Sequence, residues 1–307
     1  MKIVITGATG FVGTALVPVL LARGDTVTVL SRDGVRAEAQ LAGVTGVTAD
    51  LETFGPWTAA LEGTDAIIHL AGEPIAAKRW DARHKQAIRD SRVESTRVLV
   101  EALAALPEAS RPRVLISASG TDYYPFAGDI DFDDDEVTEA DPPGESFLAR
   151  VCRDWEKEAL AARALGVRVA CMRTGLVLGA GGALGKLTTP FKLFVGGKLG
   201  HGRQWVSWIH RGDAAAAYAN AVVDARHAGP INLVTDSIRG ADFARAVGKA
   251  LGRPSWLPVP GFAIKAAVGE LAEYLLHGRR VVPKRLHELD FAWQHGKLAA
   301  ALADALA

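Results

Sequence analysis

The sequence predicts an α/β protein, a doubly wound parallel sheet with helices on both faces and a smaller C-terminal lobe. Through the first half, short β-branched runs alternate with longer helical patterns, and several of those runs are apolar on both faces. After Thr174 the composition changes to a glycine-rich stretch with scattered lysines. Alternation of this kind is typical of parallel sheets, and doubly apolar runs indicate strands covered by helices on each side.

The elements of the first half follow in order along the chain. The predicted strands are Lys2–Thr6, Thr26–Leu30, Val44–Ala49, Ala66–Leu70, Arg113–Ser117 and Val167–Thr174. Helical patterns lie between them, at Phe11–Ala22, His84–Leu106 and Phe147–Leu165. Each strand is followed by enough chain to cross over and start a parallel neighbour.

The second half predicts one return to the sheet and a smaller lobe. Asp213 is expected to cap a helix at Ala214–Ala225, and Pro230–Val234 is a predicted strand. Further helices are predicted at Ala241–Leu251, Phe262–Leu276 and Gly296–Leu306. We expect residues 1–174, completed by about 210–235, to form the main domain, and residues 175–209 and 236–307 to form the smaller substrate-binding lobe.

Charge and composition exclude several classes of protein. Lys plus Arg number 35 and Asp plus Glu number 35, so the net charge is zero, without the basic excess typical of proteins that bind nucleic acid or an anionic membrane. Met1 leads straight into the Ile3–Ile5 run, and no run reaches the roughly 18 apolar residues of a membrane span. Cys152 and Cys171 lie in apolar segments, which predicts buried, reduced thiols and a cytoplasmic protein. Monomer and homodimer remain open.

No metal site is predicted. The acidic run holds Asp129, Asp131, Asp133, Asp134, Asp135 and Glu136. Its alternating start is similar to a calcium loop, but Asp134 stands where a Gly is needed and Ala140 where a bidentate Glu is needed. The eight histidines also lack the spacing of zinc ligands. A solvated loop is the favoured interpretation of the run.

A glycine-rich turn between the first strand and the first helix predicts a dinucleotide site. The segment contains Gly7, Thr9, Gly10, Phe11, Val12 and Gly13. Gly7 permits the tight turn, Gly10 lets the backbone approach a pyrophosphate, and Gly13 lets the helix pack closely on the strand. The free N–H groups of the helix N-terminus favour the phosphates. Because strand, turn and helix occur in the required order, the sequence predicts a Rossmann-type domain.

The residues after the second strand favour NADP(H) over NAD(H). An NAD site usually places a carboxylate there for the ribose 2′-hydroxyl. This chain has Ser31 and Arg32, a hydroxyl and a guanidinium that suit a 2′-phosphate. Asp33 is the competing observation, since it could take the acidic role instead.

These motifs resemble the extended short-chain dehydrogenase/reductase family. The likeness is carried by Gly7–Gly13, Asp50-Leu51, His69-Leu70-Ala71-Gly72, Ser91-Arg92 with Thr96, and Ser117-Ala118-Ser119. It narrows to the atypical "epimerase family" branch through Glu73-Pro74-Ile75, Arg79-Trp80, Cys152-Arg153-Asp154-Trp155-Glu156, Trp208-Ile209-His210 and a C-terminal stretch from Arg253 to Pro283.

The resemblance implies further cofactor contacts. Residues matching Asp50 and Leu51 border the adenine, and those matching Leu70, Ala71 and Gly72 line the path toward the nicotinamide. Ser117 belongs to the same set. Arg92 stands where the extended members place an Asn that contacts the cofactor. An Arg there could reach a phosphate, or be an ordinary arginine on the helix surface.

The catalytic pattern of the family is incomplete in this chain. The family uses a Ser or Thr with a Tyr four residues before a Lys, and Ser119 matches the Ser. Phe147 stands at the Tyr position and Val151 at the Lys position, so neither can move a proton. Tyr123 or Tyr124 is the expected replacement acid, with Glu145 and His210 as weaker candidates.

Two functions remain open. Trp205, Trp208 and His210 are candidate substrate contacts, although lobe core is an equal interpretation for the tryptophans and a structural hydrogen bond is favoured for His210. The first hypothesis is an NADP(H)-dependent, epimerase-like oxidoreductase acting on a small molecule such as a sugar nucleotide or other carbonyl compound. The second is an NADP(H)-binding redox sensor or interaction protein with little turnover.

Overall fold

The computed structural model describes residues 1–126 and 134–307 of the chain. The predicted acidic loop falls largely on residues 129–133, which lie outside that part. The strands are β1 (Lys2–Thr6), β2 (Thr26–Ser31), β3 (Val44–Thr48), β4 (Ala66–His69), β5 (Val114–Gly120), β6 (Glu136–Val137), β7 (Arg168–Thr174), β8 (Leu176–Leu178), β9 (Trp205–His210), β10 (Gly229–Leu233), β11 (Asp236–Arg239) and β12 (Arg280–Val281).

The helices alternate with these strands in the first half and dominate the last third. They are α1 (Gly13–Ala22), α2 (Gly34–Gln40), α3 (Ala82–Asp90), α4 (Val93–Ala105), α5 (Phe147–Ala161), α6 (Gly182–Lys192), α7 (Arg211–Val223), α8 (Gly240–Leu251), α9 (Gly261–Val268), α10 (Ala272–Leu276), α11 (Lys284–Glu288) and α12 (Leu298–Leu306).

Seven parallel strands form the central sheet in the order β10-β7-β5-β4-β1-β2-β3. The chain runs outward from β1 in one direction to β3, then crosses back to β4 and runs the other way. The strand order therefore reverses between β1 and β4, and ligands of doubly wound sheets bind at the carboxyl edge of such a reversal. The predicted fold class is confirmed.

Two apolar layers hold the helices on the sheet. Alternate residues of β1 point to opposite faces, so Ile3 and Ile5 enter one layer with α1 and α7, while Val4 enters the other with α4 and α5. Ile3, Val4 and Ile5 are all buried. The continuous apolar runs in the sequence reflect this burial on both faces.

A smaller lobe packs beside the sheet. Strands β11, β9 and β8 form a three-stranded sheet, in which β9 pairs antiparallel with β11 and parallel with β8. Helices α6, α8 and α12 cover it, with Leu184, Trp208 and Phe243 in the shared core. Strands β6 and β12 form a separate parallel pair.

Three predictions about helices are wrong. The single helix expected at Phe262–Leu276 is two helices, α9 and α10, separated by a 3₁₀ turn at Gly269–Leu271. The single helix expected at His84–Leu106 is two helices, α3 and α4, because the chain turns at Ser91 and Arg92. The Arg92 side chain folds back there and donates to the Ile88 carbonyl oxygen at 3.0 Å. Asp213 is not a helix cap: α7 starts at Arg211, and the ring of His210 caps it by accepting from the Gly212 N–H.

Among residues 1–126 and 134–307, no helix is long and apolar enough to cross a membrane. Cys152 and Cys171 are both buried free thiols, as the sequence predicts. Burial raises the pKa of Cys152 to about 12, so this thiol is neutral at ordinary pH.

Candidate cofactor and substrate site

The glycine turn has the geometry that its spacing predicts. Gly7 has φ +68°, and a Cβ there would lie 2.7 Å from the backbone nitrogen of Ala71. A Cβ on Gly13 would lie 2.4 Å from the carbonyl oxygen of Ala8. Gly10 is exposed, and its N–H donates to the Gly7 carbonyl oxygen at 3.0 Å. Gly7 and Gly13 therefore shape the turn, while Gly10 leaves its outer surface free of side chain.

Helix α1 presents an open N-terminus to this turn. Its N-cap residue, Val12, makes no side-chain capping hydrogen bond. Arg211 fixes the turn from the other side, donating to the Phe11 carbonyl oxygen at 2.7 Å and to Thr14 Oγ1 at 2.6 Å. Its guanidinium also lies over the Phe11 ring, 4.8 Å from the centroid. Sequence reasoning missed Arg211, because nothing in its local pattern links it to residue 11.

The Arg32 guanidinium lies at the end of β2, where the neighbouring Asp33 carboxylate serves as a helix cap. Asp33 is the N-cap of α2 and accepts from the Arg36 N–H at 2.9 Å. Ser31 Oγ accepts from the Asp33 N–H at 3.4 Å. Arg32 is exposed at this edge. The competing acidic side chain is thus used to start a helix.

Most of the remaining predicted cofactor residues lie just beyond the carboxyl ends of β3 and β4. Asp50 follows β3 and accepts from the Glu52 N–H at 3.1 Å. Leu51 packs against the core beneath it. After β4, the Ala71 N–H donates to Thr6 Oγ1 at 3.1 Å, which ties the β4 end to the β1 end. Ser117 lies within β5 and is buried.

Arg92 is not a helix-surface arginine. It donates to the Glu73 carbonyl oxygen at 3.0 Å, and its Cζ lies 5.4 Å from the Trp155 ring centroid. A Cβ on Gly72 would lie 2.9 Å from that Cζ, so the glycine makes room for the guanidinium. Burial lowers the pKa of Arg92.

The three predicted catalytic side chains belong to one buried network centred on Arg173. Ser119 Oγ donates to Glu156 Oε1 at 2.7 Å, and Arg173 binds both carboxylate oxygens of Glu156 at 2.8 Å. The Tyr124 hydroxyl donates to Asn232 Oδ1 at 2.6 Å and accepts from Arg173 at 2.9 Å. Sequence reasoning missed Glu156 and Arg173, because their pairing joins α5 to β7.

The same network holds Tyr123, and both tyrosines have raised pKa values. Arg173 Cζ lies 3.5 Å from the Tyr123 ring centroid. Burial is the main cause of the raised pKa values of Tyr123 and Tyr124, against the opposing charge of Arg173. A phenol with a raised pKa holds its proton more firmly, which is the reverse of what an acid catalyst requires.

The positions of the usual Tyr and Lys are filled by packing. Phe147 contacts the Trp80 ring edge-on, with centroids 5.4 Å apart. Val151 is buried on α5 at 3% exposure. Neither side chain has an ionisable proton to transfer.

A cavity of about 920 Å³ adjoins these strand ends. Its walls come from the loops after β4 and β5, from β8, β9 and the lobe helices, and its lining includes Arg92, Asp122, Leu187, Trp205 and Phe243. Tyr124 reaches the wall, whereas Ser119 and Tyr123 are outside the described lining. Sequence reasoning missed Asp122, which lies in a single 3₁₀ turn directly after β5.

The predicted substrate contacts separate in the structure. Trp205 lines the cavity, with Arg239 over its ring at 4.0 Å from the centroid. Trp208 is fully buried in the lobe core. His210 caps α7, and its Nε2 lies 3.0 Å from Asp304 Oδ2.

His210, His295 and Asp304 come together although they are far apart in sequence. The two imidazole rings stack with centroids 3.7 Å apart and planes tilted by 34°. His210 lies at the start of α7 and Asp304 in α12, so the cluster joins these two helices. We assign the cluster to holding the C-terminal segment on α7.

Family profiles match most of the chain. Residues 3–233 match the NAD dependent epimerase/dehydratase family, and residues 259–305 match a domain of unknown function, DUF1731. The chain belongs to the epimerase/dehydratase family. The resemblance found in the sequence is therefore confirmed.

Relatives in this family cover the whole chain. The epimerase family protein SDR39U1 homolog of Arabidopsis thaliana, a chloroplastic protein, is 38% identical over 98% of this chain and 86% of its own length. The epimerase family protein YfhF of Bacillus subtilis is 35% identical over 100% of this chain and 98% of its own. A crystal structure of human epimerase family protein SDR39U1 with NADPH superposes with a TM-score of 0.86, at 32% identity over 99% of both chains.

Proposed function

We propose that this epimerase-family chain binds NADP(H) along the carboxyl edge of its sheet and uses it as an oxidoreductase on a small molecule held in the adjoining cavity. One observation carries the proposal: the exposed, side-chain-free turn at Gly10 meets the uncapped N-terminus of α1 beside the reversal between β1 and β4. Backbone N–H groups and the helix dipole favour a pyrophosphate at such a turn.

NADP(H) is favoured over NAD(H) at the β2 end. Asp33 is engaged as a helix cap, which leaves the Arg32 guanidinium and the Ser31 hydroxyl for a ribose 2′-phosphate. The crystallisation of human SDR39U1 with NADPH supports this choice. When bound, the nicotinamide group would supply or accept a hydride. The chain's own part is to hold the cofactor and substrate, exclude water and move a proton.

Gly10→Val tests the cofactor site. A branched side chain on the outer surface of the turn should block the pyrophosphate, so NADPH affinity measured by fluorescence titration should fall beyond detection. The Cβ would lie 3.0 Å from the Gly7 carbonyl oxygen, so only a small adjustment of the turn is needed and the fold should survive. A variant that stays folded by circular dichroism and still binds NADPH normally would refute the site.

A second function, an NADP(H)-binding sensor with little turnover, is favoured by one specific observation. The Ser119 hydroxyl is committed to Glu156, and the Tyr and Lys positions hold Phe147 and Val151. Following NADPH absorbance at 340 nm across a panel of carbonyl compounds distinguishes the two functions. Tight NADPH binding without reduction of any panel member would favour the sensor.

A further inference from the structure

The cavity beside the cofactor edge is walled mainly by apolar side chains. Strands and helices of the lobe contribute most of them: Leu176, Val177, Leu187, Phe191, Phe243 and Val247. Ligand pockets of this size generally combine an apolar wall with a few polar groups that orient the ligand. The chemistry of the ligand is therefore decided by which polar groups remain available to it.

Several polar side chains of the wall are used within the protein. Gln204 donates to the carbonyl oxygens of Leu199 and Leu275, each at 3.2 Å. Lys186 Nζ donates to the Ala76 carbonyl oxygen at 2.6 Å. The Tyr274 hydroxyl accepts from the Leu148 N–H at 3.0 Å. These contacts hold the wall in shape and reduce its polarity toward a ligand.

Asp122 differs from them. Its carboxylate lies between the β5 end and α5, where a Cβ on Gly120 would meet Asp122 Oδ2 at 3.5 Å and Cys152 Sγ at 3.6 Å. The residue lines the cavity, as does Arg92, whose charge acts on it. Burial raises the pKa of Asp122 to about 6, so the carboxyl exchanges a proton near neutral pH.

We propose that the cavity takes a predominantly apolar carbonyl or alcohol compound, and that Asp122 is the acid and base that exchanges a proton with its oxygen. The inference rests on the proposed function for its reductant, NADPH. In reduction, the carbonyl carbon gains a hydride, the C=O bond becomes single, and the oxygen takes the proton of the Asp122 carboxyl. Asp122 is left as a carboxylate and regains its proton from solvent. Oxidation of the alcohol runs the same exchange in reverse.

Asp122 can fill this role where the expected tyrosines do not. Ser119 and Tyr124 are held by Glu156, Asn232 and Arg173 in the network described above. An efficient general acid has a pKa near the working pH. Asp122 meets that condition, and it also lies on the cavity wall.

A series of methyl ketones from 2-hexanone to 2-decanone tests the class of ligand. Binding is measured by calorimetry on the intact protein, with UDP-glucose as the polar comparison. Affinity should rise about fourfold with each added methylene, the fold-change equivalent to burying one CH₂ group. UDP-glucose should not bind over the same range. Affinity that does not depend on chain length, or tighter binding of UDP-glucose, would overturn the apolar class.

Variants on α6 separate this result from failure of the cofactor site. Leu187 lines the cavity and is partly exposed, so Leu187→Asp should weaken 2-decanone at least tenfold without unfolding the lobe. Thr189→Asp, at an exposed position of the same helix, is the matched control and should change nothing. NADPH affinity should be the same in both variants. If the unsubstituted protein does not bind NADPH, the proposed function is refuted, whereas the result for ketone binding is unaffected.

The pH dependence of ketone binding tests Asp122. A protonated carboxyl donates a hydrogen bond to the ketone oxygen, so 2-decanone should bind roughly tenfold more weakly at pH 8 than at pH 5. Asp122→Asn keeps a donor at every pH and should bind equally at both. Turnover of the same ketone should fall about 10²–10⁴-fold in this variant.

Asp122→Asn is the control for the other charged and titratable groups around the cavity, including His277 on its wall, because the variant leaves all of them unchanged. Arg92 faces Asp122 from the start of α4, Cys152 from α5 and Tyr274 from α10. Burial raises the pKa values of the thiol and the phenol, so neither titrates between pH 5 and pH 8. Two results would overturn the role of Asp122. One is a 2-decanone affinity of the unsubstituted protein that does not change between pH 5 and pH 8, and the other is a pH dependence of that affinity that persists in Asp122→Asn.

Discussion

The Ser119 hydroxyl donates to Glu156 at 2.7 Å, and the same carboxylate is bound at both oxygens by Arg173. The Ser matching the family's catalytic position is thus part of an ion-pair network between β5, α5 and β7. In this chain Ser119 serves the stability of the sheet edge before any role in proton transfer.

Ser119→Ala should therefore lower the free energy of unfolding. The lost hydrogen bond has a charged acceptor in a buried site, so a decrease of about 1.5–3 kcal/mol is expected in urea denaturation. Ser117→Ala is the matched control, because the Ser117 hydroxyl donates to a neutral carbonyl oxygen, that of Ala118. It should cost about 1 kcal/mol. Equal losses in the two variants would contradict the interpretation.

Removing one partner of the Glu156–Arg173 ion pair should lower the free energy of unfolding more than removing both partners. Glu156 and Arg173 are 5% and 3% exposed, so Arg173→Met leaves an unpaired carboxylate in the interior. A loss of about 3–5 kcal/mol is expected in urea denaturation. The double variant Arg173→Met with Glu156→Leu should recover part of that loss. A double variant less stable than Arg173→Met would show that the cost lies in packing.

Arg32→Ala should weaken the binding of NADP⁺ far more than the binding of NAD⁺. The guanidinium is expected to contact the 2′-phosphate, which NAD⁺ lacks, and a loss of about 1.5–3 kcal/mol is expected. Arg36→Ala, which removes an exposed arginine from the neighbouring helix, is the control. Calorimetric titrations of both variants with both cofactors measure the difference. Equal weakening of NADP⁺ and NAD⁺ would reject the 2′-phosphate contact.

His69 should make the protein less stable in mild acid. Burial, reinforced by Arg92, lowers the pKa of His69 from 6.5 to about 4. The unfolded chain therefore takes up a proton before the folded protein does. The neutral imidazole of His69 makes its full contribution to the free energy of unfolding above pH 6.5. That contribution is lost as the pH falls toward 4, by roughly 3 kcal/mol in total.

Urea denaturation between pH 7.5 and pH 4.5 measures the effect of His69. His69→Asn keeps a polar group beside Thr6 and should show a shallower decline than the unsubstituted protein. His201→Asn, at an exposed position, controls for the removal of a histidine. Identical declines in the unsubstituted protein and His69→Asn would contradict the shifted pKa.

Local patterns predicted most of the sheet. The strand at Lys2–Thr6 is reproduced to the residue, and the other six strands of the central sheet start or end within a few residues of their predicted bounds. These runs are apolar because both faces are buried, a requirement that is legible in a short window of sequence. The glycine turn could be predicted for a similar reason. Gly7 and Gly13 are required by close backbone contacts, which come from a few residues away or from the end of the adjoining strand.

The chemistry of the site was less predictable because it depends on contacts between distant segments. Glu156 is one of several charged residues of α5 and Arg173 is one of two arginines of β7, so neither local pattern marks them as a pair. The role of Asp122 was not predicted, since a sequence does not show that Asp122 and Tyr124 line the cavity, that Tyr123 is outside its described lining, or that Tyr124 is hydrogen-bonded to Asn232 and Arg173. Asp213 looked like a helix cap, but its carboxylate accepts from the N–H groups of Gln294 and His295.

Those two contacts of Asp213 bear on how cooperatively the protein folds. The carboxylate is fully buried, and both N–H donors lie more than 80 residues further along the chain. Burying this charge before residues 294 and 295 are in place would leave it without these two donors, at a cost in free energy. We therefore expect the interior around α7 to close together with the docking of the C-terminal segment, so that the two parts unfold in one step.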